Sequence, residues 1–385
     1  MRRGLYTADH EAFRDVVAEF VAREVTPNLE RWEEERLIGR DVWLAAGKQG
    51  LIGLSAPTEF GGAGMAVDYR YRNVVLEELA KVFAASLASG FSLQDDIAIP
   101  YIVSLGTDEQ KRRWLPKMCA GETIGAIAMT EPGTGSDLRA IKTSAKKVDG
   151  GWLVSGSKTF ITNGIHADLV ITVARTDPEA GPNGFSLLVV ERGMEGFTRG
   201  RKLKKVGLHA QDTAELFYAD VFVPEQNLLG LEGAGFQQLM SHLPLERLSI
   251  AAHAVAVADA TLRTTVEYTQ QRFAFGQPIA DFQHTRFRLA DLATELDVTR
   301  AFVDKSLLAY NEGDLSAVDA AKAKLRASEM QHSLIDECLQ LHGGYGYMTE
   351  YPVARAYQDA RVQRIFGGTN EIMRQIIGRD LIGRK

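Results

Sequence analysis

The segment Met129-Thr130-Glu131-Pro132-Gly133-Thr134-Gly135-Ser136-Asp137 follows an apolar, strand-like run from Ile124 to Met129. Glycine lets a backbone approach a ligand closely because no Cβ intervenes, and successive N–H groups in such a loop form a concavity that accepts anions. Thr130, Thr134 and Ser136 add hydroxyls that donate or accept. A loop so built suits a phosphate-bearing cofactor with a polar ring. A Gly-Ser surface turn is the plain alternative, and the segment alone does not separate the two.

Glu246 is the second candidate. On a helix its neighbours three and four positions away are His242, Leu243, Ser249 and Ile250, so no Lys or Arg lies on its own face. A carboxylate facing an apolar cavity has its pKa raised by desolvation, which suits it to take a proton near neutrality. A solvated glutamate on an amphipathic helix is the competing reading. There is no HExxH or CxxC, and His209 and His342 stand apart from other ligand types, so no metal is expected.

These residues need a scaffold of several units. The 385 residues exceed the ~250–300 at which single cores stop growing. Residues 1–120 read as a helical domain: Phe13, Val16, Val17, Phe20 and Val21 recur at helical spacing, Asn73 to Phe83 is periodic, and Thr107 with Gln110 forms a capping box. Residues 121–232 change period. Short runs from Lys142, Trp152, Leu169, Phe185 and Ala214 alternate with turns, and Asp149-Gly150 is a hairpin signal. No long helical segments separate them, which predicts an antiparallel sheet or barrel rather than a doubly wound fold. Residues 233–385 return to helices, expected over Leu243–Gln271, Asp281–Tyr310 and Ser316–Leu341, with Pro352 in a first turn and Thr369 at an N-cap.

Composition narrows the function classes. A net charge of −6 disfavours a nucleic-acid binder. The basic residues Arg355, Arg361, Arg364, Arg374, Arg379, Arg384 and Lys385 are interleaved with Asp359, Glu371 and Asp380 and read as a solvated face, leaving DNA binding a remote alternative. Cys119 and Cys338 sit in apolar contexts as reduced core residues. No apolar leader or membrane span is apparent, so a reduced compartment, most simply a bacterial cytoplasm, is expected.

The segment MTEPGTGSD resembles the first signature of the acyl-CoA dehydrogenases. Gln340-Leu341-His342-Gly343-Gly344-Tyr345-Gly346-Tyr347, with Glu350, Arg355 and Asp359 behind it, resembles the second, and Phe366-Gly367-Gly368-Thr369-Asn370-Glu371-Ile372 resembles the C-terminal flavin-contacting turn. The likeness runs along essentially the whole chain. Gly207 to Leu216 and Leu243 to Leu248 look closest to the long-chain branch.

The resemblance implies an α+β fold with an N-terminal helical domain, a central antiparallel β-barrel or sandwich and a C-terminal four-helix bundle. It implies FAD. Met129 and Thr130 match contacts to the ring edge, and Gly135 and Ser136 the pyrophosphate side. Phe160-Ile161-Thr162 matches the segment that covers the flavin, with Phe160 standing where many relatives have Trp. Arg272, Phe275, Gln283, Gln340, Gly343 and Gly344 match contacts reaching a neighbouring subunit's cofactor, and Thr369 and Glu371 match the C-terminal turn. Many relatives carry the catalytic glutamate in that turn, where this chain has Gly367. The long-chain and isovaleryl branches carry it on the helix, where Glu246 falls.

Glu246 would then take the α-proton of an acyl-CoA, of medium or long chain, while hydride leaves to flavin N5, giving a trans-2-enoyl-CoA. Gly367 and Gly368 would hold the thioester. Ser136 and Arg247 match positions near the CoA moiety, although Arg247 reads equally as a helix ion pair. An electron-transfer flavoprotein as acceptor and a homotetramer, at least a dimer, are also implied. An acyl-CoA oxidase or a flavin monooxygenase on the same fold are the alternatives. Phe91 to Ile99 matches the acyl-pocket region, and its Asp95 and Asp96 are expected to face the flavin, solvent or a polar acyl group.

Overall fold

The computed structural model describes residues 3–65 and 68–383; Arg384 and Lys385 lie outside them. The first seven α-helices are α1 (Ala8–Phe20), α2 (Leu29–Glu35), α3 (Arg40–Lys48), α4 (Arg70–Lys81), α5 (Ala85–Ser92), α6 (Ile99–Leu105) and α7 (Asp108–Cys119). The Thr107 hydroxyl accepts from Gln110 N at 3.2 Å while Thr107 N donates to Gln110 Oε1 at 3.0 Å, so both halves of the capping box form. Between α5 and α6 the chain widens into a π-helical turn, Leu93–Ala98. Such turns are rare inside helices and are frequently found at functional sites. Here the turn buries Gln94, whose amide donates to Met118 O and Thr123 O and accepts from Gly125 N at 2.7 Å, tying the helices to the first strand.

The middle of the chain is a sheet of β1 (Gly125–Ala128), β2 (Ser144–Val148), β3 (Gly151–Thr162), β4 (Leu169–Arg175), β5 (Phe185–Glu191), β6 (Phe197–Lys202), β7 (Thr213–Pro224) and β8 (Leu228–Leu229). Its order is β6-β7-β3-β2-β4-β5-β8, with β1 on β4. The sheet is mixed rather than purely antiparallel: β1 runs parallel to β4 from Gly125↔Leu169 to Ala128↔Thr172, and β2 meets β4 in parallel at Ser144↔Arg175. The β2–β3 hairpin intervenes in sequence between β1 and β4, and that excursion lets the chain return in the same direction. β4 and β5 are buried along nearly their whole length, as strands covered on both faces are.

The remaining helices are α8 (Gly235–Gln271), α9 (Gln283–Asn311), α10 (Ala317–His342), α11 (Pro352–Ala360) and α12 (Asn370–Ile382). α8 starts at Gly235, not Leu243, and carries Pro244 inside it. Proline removes one helical hydrogen bond, but the turns before it are held from outside: Phe236 packs on Phe185 of β5 with ring centroids 6.3 Å apart. Packing against the sheet overrides the local break. α8 then runs between α4, α9 and α10 as a largely buried spine. Between α8 and α9, β9 (Phe273–Ala274) and β10 (Gln277–Pro278) form a small hairpin. Among the described residues no helix is long and apolar enough to cross a membrane.

Candidate active site

α8 places Glu246 inside the protein, 5% exposed, so the solvated-face reading does not describe it. The Tyr101 hydroxyl, from α6, donates to Glu246 Oε1 at 3.1 Å. Tyr101 is itself fixed by stacking on His242, with centroids 4.0 Å apart. Burial pushes the Glu246 carboxyl up to about 7, against the Tyr101 hydrogen bond and the Arg247 charge, which both favour ionisation. The carboxyl is therefore poised to exchange a proton near neutral pH. Tyr101 was not singled out from sequence, because nothing local links it to a residue 145 positions away.

Arg247 is buried too and makes no ion pair among the described residues; its Nε donates to Gly367 O at 3.3 Å. Gly367 and Gly368 take φ of 63° and 90°, a region costly for residues with a Cβ. Thr369 caps α12, its hydroxyl accepting from Ile372 N, and Glu371 is exposed in the first turn.

The 129–137 loop is locked to β3. The Glu131 carboxylate accepts from Lys142 N at 2.7 Å, Thr143 N at 2.8 Å and Lys158 Nζ at 3.0 Å, while Lys158 also donates to Met129 O. Thr159 N donates to Thr130 O at 2.9 Å. Burial lowers the Lys158 ammonium to about 8 in spite of its Glu131 partner. The sequence reading missed this pair; a lysine inside the apolar run of β3 is the signal that could have found it. The lock leaves Met129 and Thr130 half-buried and Gly135 and Ser136 exposed. On β3, Ile161 points into the core, whereas Phe160 has φ of 60° and a side chain 67% exposed. The Thr162 hydroxyl accepts from Gln211 Nε2 at 3.0 Å.

A second group gathers elsewhere. Arg272, Gln340, Gly343 and Gly344 line one open cavity of about 420 Å³. A Cβ built on Gly343 or Gly344 would meet nothing within 4 Å. His342 faces inward, stacked on Tyr268 and bonded through Nδ1 to Cys338 O, a satisfied structural histidine. At the tip of the β9–β10 hairpin Phe275 is 97% exposed, and Gln283 is exposed at the start of α9. The two groups of residues lie apart, with no hydrogen bond between this one and the 129–137 loop among the described residues. The donor set fits a flavin dinucleotide: outward aromatic rings for a planar ring system, and a guanidinium beside open glycines for a diphosphate.

Asp95 and Asp96 are buried rather than facing solvent, and they line a small cavity with Ser55, Tyr69 and Arg72 in which Asp95 Oδ2 and Arg72 Nη1 have no hydrogen-bond partner among the described residues. Asp96 pairs with Arg72 at 3.2 Å and accepts from Ser249 Oγ at 2.5 Å, and Asp95 Oδ1 accepts from Gly53 N at 2.7 Å. Buried carboxylates need such partners, and these come from three distant stretches of chain, at Gly53, Arg72 and Ser249.

Models of the acyl-CoA dehydrogenase N-terminal, middle and C-terminal domains match residues 7–122, 126–221 and 233–382. The chain is 48% identical over 385 residues to the mitochondrial long-chain specific acyl-CoA dehydrogenase of Sus scrofa, covering 100% of this chain and 89% of that one. The crystal structure of an acyl-CoA dehydrogenase from Geobacillus kaustophilus superposes with a TM-score of 0.96 at 47% identity, covering 99% and 100% of the two chains. Butyryl-CoA dehydrogenase from Megasphaera elsdenii superposes with a TM-score of 0.94 at 35% identity over 100% of both.

Proposed function

The chain belongs to the acyl-CoA dehydrogenase family, a family of FAD enzymes, and from that premise we propose that Glu246 is its catalytic base. The observation that carries this is a buried carboxyl held by Tyr101 at 3.1 Å with its pKa raised to about 7. Such a carboxylate removes the α-proton of a bound acyl-CoA at neutral pH, and burial strengthens it as a base in the charged state. The backbone of Gly367 and Gly368 holds the thioester, and Ser136 lies toward the CoA side. FAD, when bound, supplies the acceptor for the β-hydrogen. The product is a trans-2-enoyl-CoA.

Met129, Thr130, Gly135, Ser136, Phe160, Ile161, Thr162, Thr369 and Glu371 hold one flavin. Arg272, Phe275, Gln283, Gln340, Gly343 and Gly344 hold the flavin of a neighbouring subunit. The two unconnected half-sites support this division and with it a homotetramer, or at least a dimer. Resemblance to a long-chain enzyme favours a medium- or long-chain acyl group, with an electron-transfer flavoprotein as acceptor.

The test is anaerobic reduction of the FAD-loaded enzyme by a panel of acyl-CoAs from short to long, in wild type and Glu246→Gln. Wild type should bleach best with a medium or long chain, and the variant should lose about 10²–10⁴-fold in rate while still binding FAD. Bleaching by Glu246→Gln at near wild-type rate would place the base elsewhere.

A further inference from the structure

Buried cations are usually paired with carboxylates, because desolvation is otherwise uncompensated. Two buried cations here make no salt bridge to a carboxylate among the described residues, and both converge on one turn. Arg247 Nε, from α8, donates to Gly367 O at 3.3 Å. Lys324 Nζ, from α10 and with 0% exposure, donates to Gly368 O at 2.8 Å and to Asn370 Oδ1 at 2.9 Å. Asn370 is held in turn by Ser328. Burial lowers the Lys324 ammonium to about 8, which leaves it largely charged at neutral pH.

Successive carbonyls are thus drawn toward two positive charges. In a planar trans peptide the C=O and the following N–H point in opposite directions. The N–H groups of Gly368 and Thr369 are therefore turned away from the cations. Neither they nor the N–H of Gly367 find an acceptor among the described residues. The turn lies over Ile250, one helical turn beyond Glu246.

We propose that Lys324 is a positioning residue for proton abstraction: with Arg247 it holds the Gly367-Gly368 carbonyls inward, presents the free N–H groups of the turn to the thioester oxygen, and backs them with buried positive charge as that oxygen becomes an enolate. This rests on Glu246 being the base. The proton passes from the α-carbon to Glu246 and the electron pair moves onto the thioester oxygen, so fixed dipoles and charge at that oxygen act where negative charge develops.

The experiment uses FAD-loaded enzyme and a 3-thia-acyl-CoA, in which sulfur replaces the β-carbon, so the α-proton can leave but no β-hydride can. Its enolate, stacked on oxidised flavin, is read as a long-wavelength charge-transfer band, and the pH midpoint of that band reports the acidity of the bound α-proton. Lys324→Met should retain FAD and raise the midpoint by about one unit, a tenfold loss of enolate. Lys324→Arg should recover most of it. Asn370→Asp, nearly isosteric, should also raise the midpoint by setting a carboxylate against the ammonium, and it serves if Lys324→Met does not fold. An unchanged midpoint in whichever of these variants folds with FAD overturns the proposal. Glu246→Gln is run alongside. A band that persists there overturns the base assignment, whereas its loss there with an unmoved Lys324 variant overturns the role of Lys324 alone.

Discussion

A Cβ built on Gly367 would lie 2.5 Å from Cδ1 of Ile250, one turn along α8 from Glu246. The two positions at which the resemblance puts a catalytic glutamate, 246 and 367, therefore lie at the same stretch of α8. Moving the carboxylate between them is nevertheless obstructed. At φ of 63° a side chain at 367 is strained, by about 1–2 kcal/mol, and it meets Ile250 as well. Glu246→Gly with Gly367→Glu should restore little flavin reduction. Adding Ile250→Ala should raise the rate roughly tenfold, the worth of about 1.4 kcal/mol. Stopped-flow bleaching with a good acyl-CoA measures both; near wild-type rate in the double variant would show that the clash is not limiting.

Tyr101→Phe should shift the acid limb of the pH–rate profile. The Tyr101 hydroxyl donates to the Glu246 carboxylate and so stabilises its charged form. Removing it raises the pKa further above about 7. The base must be ionised to act, so kcat/KM should fall more at pH 6 than at pH 9. A limb that stays in place would show that this hydroxyl does not tune the base.

Glu246 should cost the fold stability at alkaline pH. Its pKa is about 7 folded against an ordinary 4.5. Below 4.5 both states are protonated and nothing is lost. As pH rises to 7 and beyond, the unfolded state releases the proton more readily and the folded state loses ground. Glu246→Gln should therefore raise Tm at pH 8, with a gain on the order of a few kcal/mol at most, and leave it nearly unchanged at pH 4.5. Thermal unfolding at equal FAD occupancy at the two pH values decides this; an equal gain at both would mean that burial of charge is not the cause.

Arg272→Ala should lose FAD and oligomer together. The guanidinium faces the open cavity shared with Gln340, Gly343 and Gly344. Loss of a charge-assisted contact to a diphosphate costs on the order of 1.5–3 kcal/mol. Flavin absorbance after gel filtration and sedimentation velocity report the two effects. A variant with full FAD content and unchanged sedimentation would rule out a cofactor contact across subunits.

The sequence by itself carried the helical, strand and helical order, because hydrophobic period and cap residues are local: Thr107 and Thr369 cap where their spacing predicts. It also carried the family, through three motifs in order, and pointed to Glu246 by the loss of a carboxylate at Gly367. The start of α8 was not legible, since packing of Phe236 on Phe185 outweighs Pro244 only in the folded protein. Nor was the chemistry of the base. Desolvation is a property of everything around a carboxyl, and Glu246 rises to about 7 only because the folded chain excludes water from it, while Tyr101 from α6 works against that rise. The same holds for Asp96 with Arg72, for Glu131 with Lys158, and for Lys324 beneath the Gly367-Gly368 turn. Each joins groups far apart in the chain, and a buried charge has meaning only once its neighbours are fixed.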